Sequence, residues 1–129
     1  MALRLTLKPN ERVIIGGAVL RNGAGRTWLL IENQVPVLRG SDILSPQAVR
    51  TPCERIYLAL QLMYVDPENA VQHEGTFREL VSEVCEAAPS CHTWIDRVQD
   101  SVARGQLYQA LKAARVLLEH ERELMSNVS

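Results

Sequence analysis

The chain has 129 residues, 47% of them apolar and 22% charged, which suits a folded domain with its own core and excludes a disordered tail. No stretch approaches the roughly 20 apolar residues that cross a bilayer, and Met1 to Lys8 lacks the unbroken apolar run of a secretion signal, so the expected address is the cytoplasm. The formal net charge of −1 conceals two opposed halves: residues 1–50 carry seven basic side chains against three acidic ones, net +4, and residues 51–129 carry seven against twelve, net −5.

Leu3, Leu5 and Leu7 alternate with Arg4, Thr6 and Lys8, the period of a half-buried strand. Lys8-Pro9-Asn10-Glu11 follows as a turn, its proline supplying a fixed φ. Val13-Ile14-Ile15 opens a second strand that Gly16-Gly17 interrupts and Ala18-Val19-Leu20 resumes; paired glycines there predict a bulge, a bend or a close backbone approach. Asn22-Gly23-Ala24-Gly25 carries a hairpin-turn signal. Thr27 to Glu32 reads as a third strand and Val35 to Leu38 as a fourth, placed at an edge because Pro36 cannot donate to a ladder.

Near Ser41 the period changes. Thr51-Pro52-Cys53-Glu54 has the form of a capping box with proline at the first helical position. The helix it opens is apolar almost all round, with Gln61 its one uncharged polar break, which predicts a central, buried element. A further helix is expected from about Pro67 to Ala88, capped by Asp66 and weakened by Gly75. Another runs from about Cys91 to Ala103 and is stopped by Gly105. The last, from about Gln106 to Met125, aligns Leu107, Leu111, Ala114 and Leu118, so the chain closes in an αα-hairpin. The expected fold class is α+β: an antiparallel meander of about four short strands, then a helical half. Both are taken as one domain over 1–129, with a basic β-rich half at 1–44 and an acidic helical half at 45–129.

Three cysteines, Cys53, Cys85 and Cys91, form no CxxC pair, so neither a metal site nor a disulfide framework is expected. A phosphate-binding glycine loop, an HExxH helix and a nucleophile elbow are all missing from the sequence. No enzyme and no cofactor are therefore expected, and His73, His92 and His120 read as surface residues. Six of the seven basic side chains of residues 1–50 are arginine, the residue best suited to forked phosphate contacts and to stacking on bases. That asymmetry points to nucleic acid.

An ordered series of short stretches resembles the FlbT family of flagellum biosynthesis repressors. It comprises Leu5-Thr6-Leu7-Lys8-Pro9-Asn10-Glu11, Gly17-Ala18-Val19, Asn22-Gly23, Val37-Leu38-Arg39 with Asp42-Ile43, Thr51-Pro52, Ile56-Tyr57, Met63-Tyr64-Val65-Asp66, Tyr108-Gln109-Ala110-Leu111 and Ala114-Arg115. The resemblance implies a post-transcriptional regulator that acts on the 5′ untranslated region of flagellin mRNA, lowering translation or message lifetime, alongside a FlaF-type partner protein. A fainter likeness, over about residues 3–43, is to the carbon storage regulator family of swapped-dimer RNA binders. It carries RNA contact over to Arg4 and Arg39.

The β half is accordingly the expected RNA platform. Arg4, Thr6 and Lys8 share the face opposite the leucines, and Arg12, Arg21, Arg26 and Arg39 lie at strand ends or turns where side chains reach outward. The expected RNA-binding set is Arg4, Lys8, Arg12, Arg21, Arg26 and Arg39. Trp28 suits base stacking, yet its apolar neighbours Leu29 and Leu30 favour a core position. An alternative function rests on the acidic half, where Glu79, Glu83 and Glu86 at near-helical spacing suit a protein partner, as in a chaperone-like adaptor. The glycine pair and the proline-marked edge strand also suit a homodimer.

Overall fold

The computed structural model of the chain describes residues 2–128. It is an α+β structure that divides into two compact units, Met1–Ile43 and Leu44–Ser129, one residue from the expected boundary.

The first unit holds five strands: β1 (Leu3–Leu7), β2 (Arg12–Ile15), β3 (Ala18–Arg21), β4 (Thr27–Ile31) and β5 (Val37–Arg39). They form two small antiparallel sheets, one pairing β1 with β4 and the other in the order β3-β2-β5. The fifth strand corrects the four-strand expectation. Gly16 and Gly17 take φ of +56° and +88°, the pair of positive values a type I′ turn requires, and Ile15 lies opposite Ala18. The glycines therefore reverse the chain between two strands instead of bending one.

Asn22-Gly23 does not close the expected hairpin, because β4 pairs with β1 and not with β3. Its loop is fastened to the turn after β1. The Asn22 side-chain amide donates to the carbonyls of Lys8 (2.7 Å) and Gly25 (3.0 Å), and the Asn10 N–H donates to Gly23 O at 2.9 Å. The turn itself is as expected: Pro9 precedes Asn10 at φ +62°, and the Glu11 N–H donates to Lys8 O at 3.1 Å, the arrangement of a type II turn. β5 is an edge strand, with Pro36 immediately before it.

Leu5, Leu7 and Val13 form the buried centre of this unit, with Ile15, Leu29, Ile31 and Val37 packed against them. Alternation then turns Arg4 and Thr6 of β1, and Trp28 and Leu30 of β4, to the opposite face.

In the second unit α1 (Pro52–Val65) begins with the expected capping box: Glu54 N donates to the Thr51 hydroxyl at 3.1 Å, and the Glu54 carboxylate accepts from Thr51 N at 3.1 Å. Such a cap is worth about 1 kcal/mol. α1 is the central helix and packs on both α2 (Ala70–Ala87) and α4 (Leu107–Val128), and α3 (His92–Ala103) packs on α4. Ile56 and Leu60 are fully buried. Gln61 is buried as well, its amide bridging Leu44 by donating to the carbonyl (3.0 Å) and accepting from the N–H (2.8 Å).

The segment after Asp66 starts with a 3-10 turn, Pro67–Asn69, before α2 proper. The Asp66 carboxylate caps no backbone N–H there; it accepts from Asn69 Nδ2 and contacts His73 Nε2, both at 3.0 Å. The α3–α4 hairpin turns on Gly105 at φ +74°. Gly105 N donates to Val102 O and Gln106 N to Ser101 O, the two bonds of a Schellman motif. The buried stripe of α4 is Ala110, Leu111, Ala114 and Leu117, one step around from the expected one, with Leu107 and Leu118 half-buried at its flanks. Among the described residues no helix is long and apolar enough to cross a membrane.

Candidate nucleic-acid interface

The outer face of the β1–β4 sheet is built by register. Arg4 lies opposite Leu30 and Thr6 opposite Trp28, so Arg4 and Trp28 are diagonal neighbours within reach of long side chains. The Arg4 guanidinium carbon stands 4.8 Å from the centroid of the Trp28 ring, a cation–π stack worth about 0.5–1 kcal/mol at an exposed site. Trp28 is 56% exposed and Leu30 54%. The core position expected for Trp28 is thus corrected. Leu29 and Ile31 fill the core from β4, and alternation sends Trp28 the other way. The result is an exposed aromatic plane with a guanidinium lying on it, flanked by an aliphatic side chain.

The other basic residues fall into two groups. Lys8, Arg21 and Arg26 are exposed at a strand end, a strand terminus and a loop. Arg21 lies directly opposite Arg12 across the β2–β3 ladder, which concentrates positive potential on one cross-strand pair. Arg12 is half-buried and takes part in a contact within the protein.

Arg39 is committed to the fold. Its Nε donates to Glu11 Oε2 and its Nη2 to Glu11 Oε1, each at 3.2 Å, and Nη2 also donates to the carbonyl of Thr6 on β1. The side chain expected to reach outward is a clamp between the two sheets. Glu11 Oε1 also accepts the Lys8 N–H at 2.9 Å. That backbone bond, followed by the bond to Arg39, holds the Glu11 carboxyl below its ordinary pKa. Gly40 (φ +28°) makes room for the fork, since a Cβ there would meet Glu11 Oε2 at 3.3 Å.

The second unit carries a cleft of about 440 Å³ lined in part by Cys53, Val84, Cys91, Leu124 and Met125, with Glu121 beside it. The Glu121 carboxylate accepts the Cys53 N–H at 3.1 Å. Burial above all, then the Glu121 charge, pushes the Cys53 thiol far above the ordinary thiol range; such a thiol is a poor nucleophile. Cys53, Cys85 and Cys91 are all free thiols. Glu79, Glu83 and Glu86 are exposed on α2. Of the three histidines, His92 is exposed, whereas His73 and His120 are half-buried, the former held by Asp66 and the latter packed 5.7 Å from the Trp94 ring. Among the described residues no group of His, Cys, Asp or Glu is arranged to hold a metal ion.

The family model of flagellar protein FlbT matches residues 3–125. The chain belongs to the FlbT family. It is 44% identical over 125 residues to the probable flagellum biosynthesis repressor protein FlbT 1 of Bradyrhizobium diazoefficiens, covering 96% of this chain and 85% of that one. It is 38% identical to the probable FlbT repressor of Rhodopseudomonas palustris, covering 98% and 99% of the two chains. To the flagellum biosynthesis repressor protein FlbT of Caulobacter vibrioides it is 34% identical, covering 100% and 93%. No solved structure matches the chain. The FlbT match spans both the β-rich and the helical unit, so the two are a family feature and not a fusion peculiar to this chain.

Proposed function

We propose that this protein represses flagellin expression after transcription by binding the 5′ untranslated region of flagellin mRNA through its β-rich unit, lowering translation or message lifetime. The observation that carries the reading is the Arg4 guanidinium stacked on the exposed Trp28 ring. Single-stranded RNA is bound by unstacked bases lying on aromatic and guanidinium planes, with cations neutralising the phosphates beside them. Trp28 supplies the plane. Arg4 holds the ring in place and offers its remaining donors to the backbone. Lys8, Arg21 and Arg26 contact phosphates, and Arg12 and Arg39 add positive potential from positions that also serve the fold. A repressor role agrees with the names of the relatives.

The test is a mobility-shift titration of flagellin leader RNA against the full chain. Trp28→Ala lowers affinity by about 5- to 150-fold, the worth of one base–aromatic stack, with an unchanged melting temperature. Equal affinity of the variant and the wild type overturns the reading.

A second reading concerns the helical unit. The apolar cleft beside Glu83 and Glu121, on a unit whose α2 exposes Glu79, Glu83 and Glu86, favours docking of a basic, amphipathic segment of a protein partner, for which a FlaF-type protein is the candidate. Co-purification of a stoichiometric small protein that is lost in Glu83→Lys supports it; wild-type chain that emerges alone speaks against it. Strand β3, exposed along its whole length at the edge of its sheet, would serve a homodimer, which a solution mass measurement reads directly.

A further inference from the structure

A second cavity of about 440 Å³ opens in the β-rich unit at the end of the β1–β4 ladder. Its walls include Leu3 and Ile31, the terminal pair of that ladder, together with Val35 and Val37. Asn33 and Gln34 line it as well. One step along the same ladder is the Arg4–Leu30 pair, whose side chains alternation turns to the other face, so the cavity and the Arg4–Trp28 stack lie on opposite faces of the β1–β4 sheet.

The walls are held in place before any ligand arrives. Gly16 N donates to Pro36 O at 2.9 Å, Val35 lies against the bare Cα of Gly16, 3.5 Å from where a Cβ would stand, and Val37 is in register with Ile15. The β2–β3 turn therefore braces the segment that forms one side. Asn33 and Gln34 are exposed. None of the lining side chains is ionisable, so the cavity brings no side-chain charge to a phosphate or a carboxylate. It offers apolar walls and two carboxamide residues, which is what a nucleobase uses: two apolar faces and an edge of alternating donors and acceptors. A carboxamide pairs best with adenine, giving one hydrogen bond and accepting another.

We propose that this cavity receives one unstacked adenine of an RNA strand that leaves the Arg4–Trp28 stack and turns around the end of the β1–β4 sheet, with Asn33 and Gln34 reading its edge. The inference rests on the RNA-binding reading above. It makes this cavity the source of base preference and the stack the source of sequence-tolerant affinity.

The test compares oligoadenylate and oligouridylate, each ten nucleotides long, in equilibrium binding to the full chain. Wild type favours oligoadenylate by about tenfold or more, the discrimination one bidentate amide–adenine contact gives. The Asn33→Ala/Gln34→Ala double variant brings that ratio close to one and leaves oligouridylate affinity unchanged. Ala2→Phe, which fills the cavity from an exposed terminal position, lowers oligoadenylate affinity alone. A preference unaltered in both variants overturns the proposal, and if Trp28→Ala still weakens both oligomers the RNA reading survives it. Wild type that binds neither oligomer nor the leader RNA overturns both.

Discussion

Glu11 and Arg39 meet in a two-point fork, each contact 3.2 Å long, and Arg39 also donates to the Thr6 carbonyl of β1. The fork therefore ties the β3-β2-β5 sheet to the β1–β4 sheet. A two-stranded sheet is marginal alone, so the pair stabilises the strand that carries Arg4.

Arg39→Ala is expected to destabilise the β-rich unit by about 1 kcal/mol, the low end for hydrogen bonds to a charged partner that solvent partly screens. Arg39→Lys recovers part of this, because an ammonium cannot reproduce the fork. Chemical denaturation followed by tryptophan fluorescence in a Trp94→Phe background, where Trp28 alone reports, measures both. A weakened RNA affinity of Arg39→Ala counts as loss of a contact only after correction for that unfolding.

The same fork sets an acid limit. Glu11 titrates below its ordinary value of 4.5 in the folded chain, so the unfolded chain binds the proton more readily. The stability this provides is present in full well above pH 4.5 and is lost as pH falls through the folded value. Wild type should lose stability over that range more steeply than Glu11→Gln. Parallel acid titrations of the two proteins would refute the assignment.

Gln61 carries the matching prediction in the helical unit. Gln61→Leu leaves both the N–H and the carbonyl of the half-buried Leu44 without their partner, and an unsatisfied group there costs about 1 kcal/mol, the low end for such a loss. The variant should melt lower than wild type, and amide exchange at Leu44 should speed up ahead of global unfolding. Retained protection at Leu44 would contradict the bridge.

Exposed cations should show in salt dependence and not in stability. Arg21→Gln and Arg26→Gln each reduce the slope of log affinity against log salt by about 0.7, the single-strand value per phosphate contact, with stability changed by less than about 0.5 kcal/mol. An unaltered slope removes that residue from the RNA surface.

Much of the architecture is legible along the chain because it depends on neighbouring residues. Alternation of leucines marks β1, Thr51 and Glu54 mark the start of α1, and Gly105 marks the end of α3. Each of these signals acts through backbone groups within a few positions. The opposed charges and the change of period near Ser41 also follow from residue order alone, and they coincide with the division into two units.

What the order of residues left open depends on partners far away in the chain. Gly16-Gly17 is compatible with a bulge or a turn, and pairing of Ile15 with Ala18 makes it a turn. In β4 both alternating sets are apolar, so hydrophobicity could not choose which set faces inward. Register with β1 decides: Leu29 lies opposite Leu5 and goes to the core, and Trp28 lies opposite Thr6 and goes to the surface. Arg39 looked like a free cation because its neighbours are uncharged up to Asp42, and the carboxylate that holds it lies 28 residues earlier. Local propensity wrote the elements; only tertiary pairing determined that a tryptophan is displayed and that an arginine is tied to a carboxylate of the fold.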